Sequence, residues 1–182
     1  MKNQLRQHLK FSFKNKVRLF KAKNKLGFCG NSVWVDKNVE IQRFPKNVSI
    51  KDNVVIKEGT RICSCNRDAK ISIGENTTVG YHNFFFASKG ITIGDNCLIA
   101  PFVYIVDSNH QAKKGILINQ QENISEEINI GNDVWIASNV TILKGVTVED
   151  GAIIAANSVV NNDVKANTIV GGSPAKYISD RE

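Results

Sequence analysis

The 182-residue chain is long enough for one domain with a buried core, and its 42% hydrophobic content, poor in aromatics and rich in β-branched residues, favours strands over helices. Its net charge of +7 is carried by one end: Lys2, Arg6, Lys10, Lys14, Lys16, Arg18, Lys21, Lys23 and Lys25 all precede the first acid, Asp36, and the remainder holds 15 cations against 17 anions. A basic arm on a near-neutral body excludes a nucleic-acid binder with a basic face. No apolar run reaches the roughly 18 residues of a membrane span, and residues 1–25 lack the apolar stretch of a secretory leader.

Residues 1–28 read as a basic amphipathic segment, with Leu5, Leu9, Phe11, Phe13, Val17, Leu19 and Phe20 set among lysines. Two placements fit it: against an anionic membrane surface, or packed over the first coil of the repeat that follows. Packing is the favoured one, because the open end of a solenoid needs a cap. The remainder, residues 29–182, forms one domain. Its four cysteines, Cys29, Cys63, Cys65 and Cys97, match no zinc or disulfide framework. They read as reduced thiols of a cytosolic protein, and Cys63-Ser-Cys65 is too tight for the usual zinc pair.

A six-residue period runs along the body. Short runs appear at Val35, Val39, Ile41, then at Ile50, Val54, Ile56, Thr60, Ile62. Others follow at Ile73, Thr77, Val79, Phe85 and at Ile93, Cys97, Ile99, Val103, Ile105. Register slips near Asn47, Asn66-Arg67-Asp68 and Gly90 read as loops on a continuing coil. From Ile130 the period is unbroken through Ile136, Ile142, Val148, Ile154 and Val160, with Ala166 closing it. Small or aliphatic residues follow four later at Val134, Val140, Val146, Ala152, Ser158, Val164 and Val170. Neither a 3.6 nor a 2.0 period gives this pattern. It predicts a parallel β-helix, each six-residue unit making one flat face and one corner, and each coil closing after three faces.

The period breaks between Ile105 and Ile130. The excursion, residues 106–129, opens on Asp107-Ser-Asn-His110 directly after a buried strand. Of the three histidines, His8 lies in the arm, His82 on a coil, and His110 in this excursion. On the residues alone, His110 is either a positioned general base, natural near neutral pH, or a loop histidine with structural hydrogen bonds. One loop supplies too few ligands for a metal.

Four stretches then stand in a telling order: Ile93-Gly-Asp-Asn-Cys-Leu-Ile-Ala-Pro101, Asp107-Ser-Asn-His110, Ile130-Gly-Asn-Asp-Val-Trp-Ile-Ala-Ser138 and Gly171-Gly-Ser-Pro-Ala-Lys176. Over residues 35–180 they resemble the left-handed parallel β-helix acyltransferases, especially the sugar and xenobiotic O-acetyltransferases. The general rule for parallel crossovers favours right-handed winding; the left hand comes from the resemblance. So do a homotrimer with active sites between subunits, acetyl-CoA as co-substrate and no metal. The resemblance implies His110 as the base that takes the acceptor's proton and the backbone N–H of Ser138 as the oxyanion donor. Asp107 or a loop carbonyl would orient the imidazole. Trp135 would wall the cofactor channel, Ala156, Asn161 and Asn162 would contact the cofactor, Lys176 would lie near its phosphates, and Asn83 would touch the acceptor.

The arm departs from the acidic, helical N-terminal segment of the maltose and galactoside acetyltransferases. The layout is more like acetyltransferases of bacterial surface-polysaccharide pathways, implying a saccharide or lipid-linked saccharide acceptor and a cytoplasmic protein at the inner membrane face. Xenobiotic acetylation, amino-sugar N-acetylation and an inactive β-helix scaffold are the competing readings. A zinc anhydrase would need three clustered histidines, and His8 is remote from the other two.

Overall fold

The computed structural model of the protein describes residues 9–182. Residues 1–8, with Lys2, Leu5, Arg6 and His8 of the arm, lie outside the described residues. The arm's described part is helix α1 (Phe13–Lys25), opened by a reciprocal cap in which the Ser12 hydroxyl accepts from the Asn15 N–H and the Asn15 side chain accepts from the Ser12 N–H. Lys23 and Lys25 in the last turn suit the negative end of the helix dipole. Leu26 then turns extended and is buried, while Leu19 and Ala22 pack against the core of the first coil.

Each coil contributes one short strand to each of three faces. The first four coils are β1 (Phe28–Cys29), β2 (Trp34–Val35), β3 (Glu40–Arg43); β4 (Val48–Ile50), β5 (Val55–Ile56), β6 (Arg61–Ser64); β7 (Lys70–Ile73), β8 (Thr78–Val79), β9 (Phe84–Ala87); and β10 (Gly90–Ile93), β11 (Leu98–Ile99), β12 (Tyr104–Val106). A hairpin, β13 (Ser108–His110) with β14 (Asn123–Ser125), interrupts the winding. Coils resume with β15 (Ile128–Ile130), β16 (Trp135–Ile136), β17 (Thr141–Ile142), then β18 (Thr147–Val148), β19 (Ile153–Ile154), β20 (Val159–Val160). An antiparallel pair, β21 (Thr168–Gly172) and β22 (Ala175–Asp180), ends the second face. The first face is β1-β4-β7-β10-β15-β18, the second β2-β5-β8-β11-β16-β19-β21-β22, and the third β3-β6-β9-β12-β17-β20. All coil-to-coil pairings are parallel. The result is a left-handed parallel β-helix of hexapeptide repeats.

The recurring aliphatics form three inward ladders. Ile50, Ile73, Ile93, Ile130 and Val148 stack on the first face. Ile56, Val79, Ile99, Ile136 and Ile154 stack on the second, and Ile62, Phe85, Ile105, Ile142 and Val160 on the third. All are buried, each worth about 1.5–3 kcal/mol on the scale of apolar transfer. The corners explain the polar residues between them. Asn38, Asn53, Asn76, Asn96, Asn139 and Asn157 sit at positive φ between 55° and 60°, the left-handed conformation that asparagine tolerates best among residues with a side chain. Gly94, in the Ile93-Gly-Asp-Asn stretch, is required by close approach: a Cβ there would lie 2.5 Å from the Gly131 carbonyl oxygen.

Two boundary expectations are corrected. The winding resumes at Ile128, which is fully buried and pairs with Ile91, rather than at Ile130. Ala166 does not close the inward series: it is exposed, its N–H donates to the Glu149 carboxylate, and the last coil turns inward through Val164, Thr168 and Val170 instead.

Candidate active site

The excursion is rooted on Asp107. Its carboxylate is fully buried and accepts three backbone N–H groups of the preceding coil, from Ser88 at 2.6 Å and from Lys89 and Gly90 at 2.7 Å. Its own N–H donates to Phe86 and its carbonyl accepts from Glu126 at the returning end. The return is held again by a Glu126–Lys144 ion pair and by the Gly145 N–H donating to the Glu126 carbonyl. Of the two candidate orienters of the imidazole, Asp107 or a loop carbonyl, Asp107 is committed to the 88–90 turn and carries the hairpin, with no bond to His110 among the described residues.

His110 ends β13, cross-strand from Asn123. It is exposed and lines an open recess with Ile116, Leu117, Ile118 and Asn119 of the same excursion. Its ring makes no hydrogen bond among the described residues of its own chain. The hairpin tip is apolar and uncovered: Ile116, Leu117 and Ile118 are 53%, 65% and 59% exposed. Three exposed aliphatics in sequence on a structured loop form an apolar patch.

Ser138 lies elsewhere. The excursion leaves at the edge between third and first faces, whereas Ser138 is on the turn between second and third faces, after β16. The corners of that edge stack: Phe102 N–H donates to Tyr81, Asn139 N–H to Pro101, and Asn157 N–H to Ser138. The Ser138 N–H finds no acceptor among the described residues. Ala156 sits one coil further along the same edge. Trp135 points outward from the second face, half exposed, in register with Leu98 and Ile153. Lys176 is exposed on the closing hairpin, opposite Gly171. Asn161 and Asn162 fall on the other edge, past the last strand of the third face, with the Asn162 amide donating to Asn161. One chain therefore brings Ser138, Ala156, Trp135 and Lys176 to one side and leaves His110, Asn161 and Asn162 at another edge.

Asn83 is a correction. It is 1% exposed, its amide donates to the Gly80 carbonyl at 3.0 Å, and its oxygen accepts from the Val103 N–H at 2.6 Å. Thr60 and Ser158, also first after this corner, bond corner carbonyls likewise. Asn83 is a corner clamp, spent inside the coil. The neighbouring residues that sequence reasoning passed over are outward: His82 stacks on Phe102 with centroids 5.5 Å apart, and Tyr81 is exposed beside Lys57. Their signal was the corner spacing itself, since the residue at the corner must face solvent.

The cysteines offer no nucleophile. Burial, then the contact with Cys63 at 3.2 Å, push the Cys65 thiol up to about 12, and burial also raises Cys29 and Cys97. All four are free thiols, protonated near neutral pH where a shift is resolved. No group of three or more metal-ligating side chains occurs among the described residues.

Comparison with known proteins agrees with this architecture. Residues 127–162 match the bacterial transferase hexapeptide (six repeats) model, and residues 70–105 match the hexapeptide repeat of succinyl-transferase. The Escherichia coli (strain K12) protein provisionally named lipopolysaccharide biosynthesis O-acetyl transferase WbbJ is 31% identical over 156 residues, covering 78% of this chain and 79% of its own. A hexapeptide-repeat acetyltransferase of Vibrio cholerae O1 biovar eltor, solved with acetyl coenzyme A, superposes with a TM-score of 0.70 at 28% identity. That match covers 98% of this chain and 84% of the other. A galactoside acetyltransferase solved with coenzyme A gives 0.71 at 27%, over 98% and 76% of the two chains. The repeat, its interruption by the histidine hairpin and these matches lead to one assignment: the chain belongs to the hexapeptide-repeat acyltransferases.

Proposed function

We propose that the protein transfers the acetyl group of acetyl-CoA to a hydroxyl of a saccharide in surface-polysaccharide synthesis, at sites completed by two copies of the chain in a trimer. The observation that carries this reading is the division of the site. Among the described residues a histidine on a clamped hairpin has no hydrogen-bond partner, an apolar tip beside it is uncovered, and a Ser138 N–H without an acceptor lies on a different edge. Docking the tip of one copy against the Tyr81–Phe102 edge of the next buries those aliphatics and brings the two halves together. Acetyl-CoA then lies along the edge of Ser138 and Ala156, beside Trp135, with Lys176 towards its phosphates; Asn161 and Asn162, on the His110 edge, contact it from the neighbouring copy. The WbbJ and galactoside relatives, acting by name in lipopolysaccharide synthesis and on galactosides, support a saccharide acceptor.

In this mechanism an imidazole nitrogen of His110 takes the hydroxyl proton as the oxygen attacks the thioester carbonyl carbon. The resulting oxyanion accepts the Ser138 N–H, a donor already fixed by the coil. The intermediate collapses to the acetyl ester, the carbon–sulfur bond breaks, and the departing CoA sulfur receives the proton from the His110 imidazolium. No cysteine participates. The test is thiol release from acetyl-CoA with a panel of mono- and oligosaccharides. Saccharide-dependent release is expected, falling about 10²–10⁴-fold in His110→Ala. Turnover that survives the substitution would remove His110 from the reaction.

A further inference from the structure

Helix α1 carries two apolar faces, and only one is used. Asn15, Leu19 and Ala22 face the first coil, with Asn15 buried and Leu19 and Ala22 packed on the core. On a helix of 3.6 residues per turn, Phe13, Val17 and Phe20 share the opposite stripe, and all three are exposed, at 80%, 37% and 67%. Lys14 and Lys21 border that stripe on one side and Lys16 on the other. None of these three lysines pairs with a carboxylate among the described residues.

We infer that this outward face docks the protein on an anionic membrane leaflet. Two phenylalanines with cations along both borders match an interface in which rings enter the acyl boundary and ammonium groups remain at the headgroups. Charge selects the occupant. No acid precedes Asp36, so a second copy of the same face would oppose lysine to lysine, whereas an anionic leaflet meets the whole row favourably. The inward face fixes the helix to the coil. Docking thus sets the first coil of the solenoid towards the membrane without unfolding anything. Membrane docking does not depend on the reaction proposed above, and its readout is independent of catalysis.

The test is flotation of the full chain with vesicles of phosphatidylcholine alone, and with vesicles containing phosphatidylglycerol as well. Wild type should float with the anionic vesicles only, and less as salt rises. Phe13→Ser/Phe20→Ser should reduce binding at least about tenfold while keeping the wild-type thermal midpoint, because both rings are exposed. Lys14→Glu/Lys16→Glu/Lys21→Glu should reduce it further, by about fivefold or more per lysine. Equal flotation on neutral and anionic vesicles would overturn the inference. So would equal flotation of wild type and the phenylalanine variant. A change in sedimentation of the phenylalanine variant without vesicles, and no vesicle binding by wild type, would assign the stripe to a protein contact instead.

Discussion

Asp107 shows how a single side chain fixes the root of the hairpin that carries His110. Three N–H groups converge on one carboxylate that has no contact with solvent, and hydrogen bonds to a charged acceptor are worth about 1.5–3 kcal/mol each. Asp107→Ala leaves three part-buried N–H donors without that acceptor. We expect it to lower stability by about 3 kcal/mol or more in denaturant titration, and to lower kcat even under conditions where the chain is folded. Asp107→Asn, which keeps an oxygen acceptor, should cost less on both counts. A variant with unchanged kcat would show that the root does not position His110. Two side chains expected at the site, Asp107 as one candidate orienter of the imidazole and Asn83 at the acceptor, are spent on the backbone for the same reason. Both are polar groups next to a coil corner, where backbone N–H and carbonyl groups compete for them first.

The excursion is the element in which structure departs most from a plain repeat. Its ends are clamped by Asp107 and Glu126, and its middle, from Ile116 to Ile118, presents aliphatics to solvent in the single chain. Replacing all three with serine removes side chains that are largely exposed within their own chain, so the thermal unfolding of the isolated subunit should scarcely change. Sedimentation velocity should instead show dissociation towards the 20.2 kDa chain, with loss of turnover. An intact assembly with full activity would show that the tip covers nothing. The hexad period made most of this architecture legible from sequence, because an inward residue at every sixth position fits a three-sided coil and neither an ordinary helix nor a flat strand. The hairpin was legible only as an interruption containing His110. Its pairing of His110 with Asn123 has no periodic signature, and the exposure of His82 and Phe102 follows from which corner each occupies.

At the scale of the whole molecule, the three-sided winding distributes the site. Residues one coil apart in one chain can share an edge, as Ser138 and Ala156 do, whereas the hairpin leaves from another edge, and in the proposed mechanism it meets the Ser138 edge of another copy. A closed ring of such heterologous contacts is the natural assembly. The most direct test uses two inactive variants, His110→Ala and Ser138→Pro, the second removing the N–H donor; each must first be shown to assemble alone. Chains mixed by co-expression at equal levels place an intact His110 beside an intact Ser138 at about one interface in four. A site shared between subunits predicts that the mixture recovers about a quarter of wild-type activity while each variant alone stays inactive. A mixture as inactive as its components would mean that His110 and Ser138 act from the same chain, and would contradict the shared site.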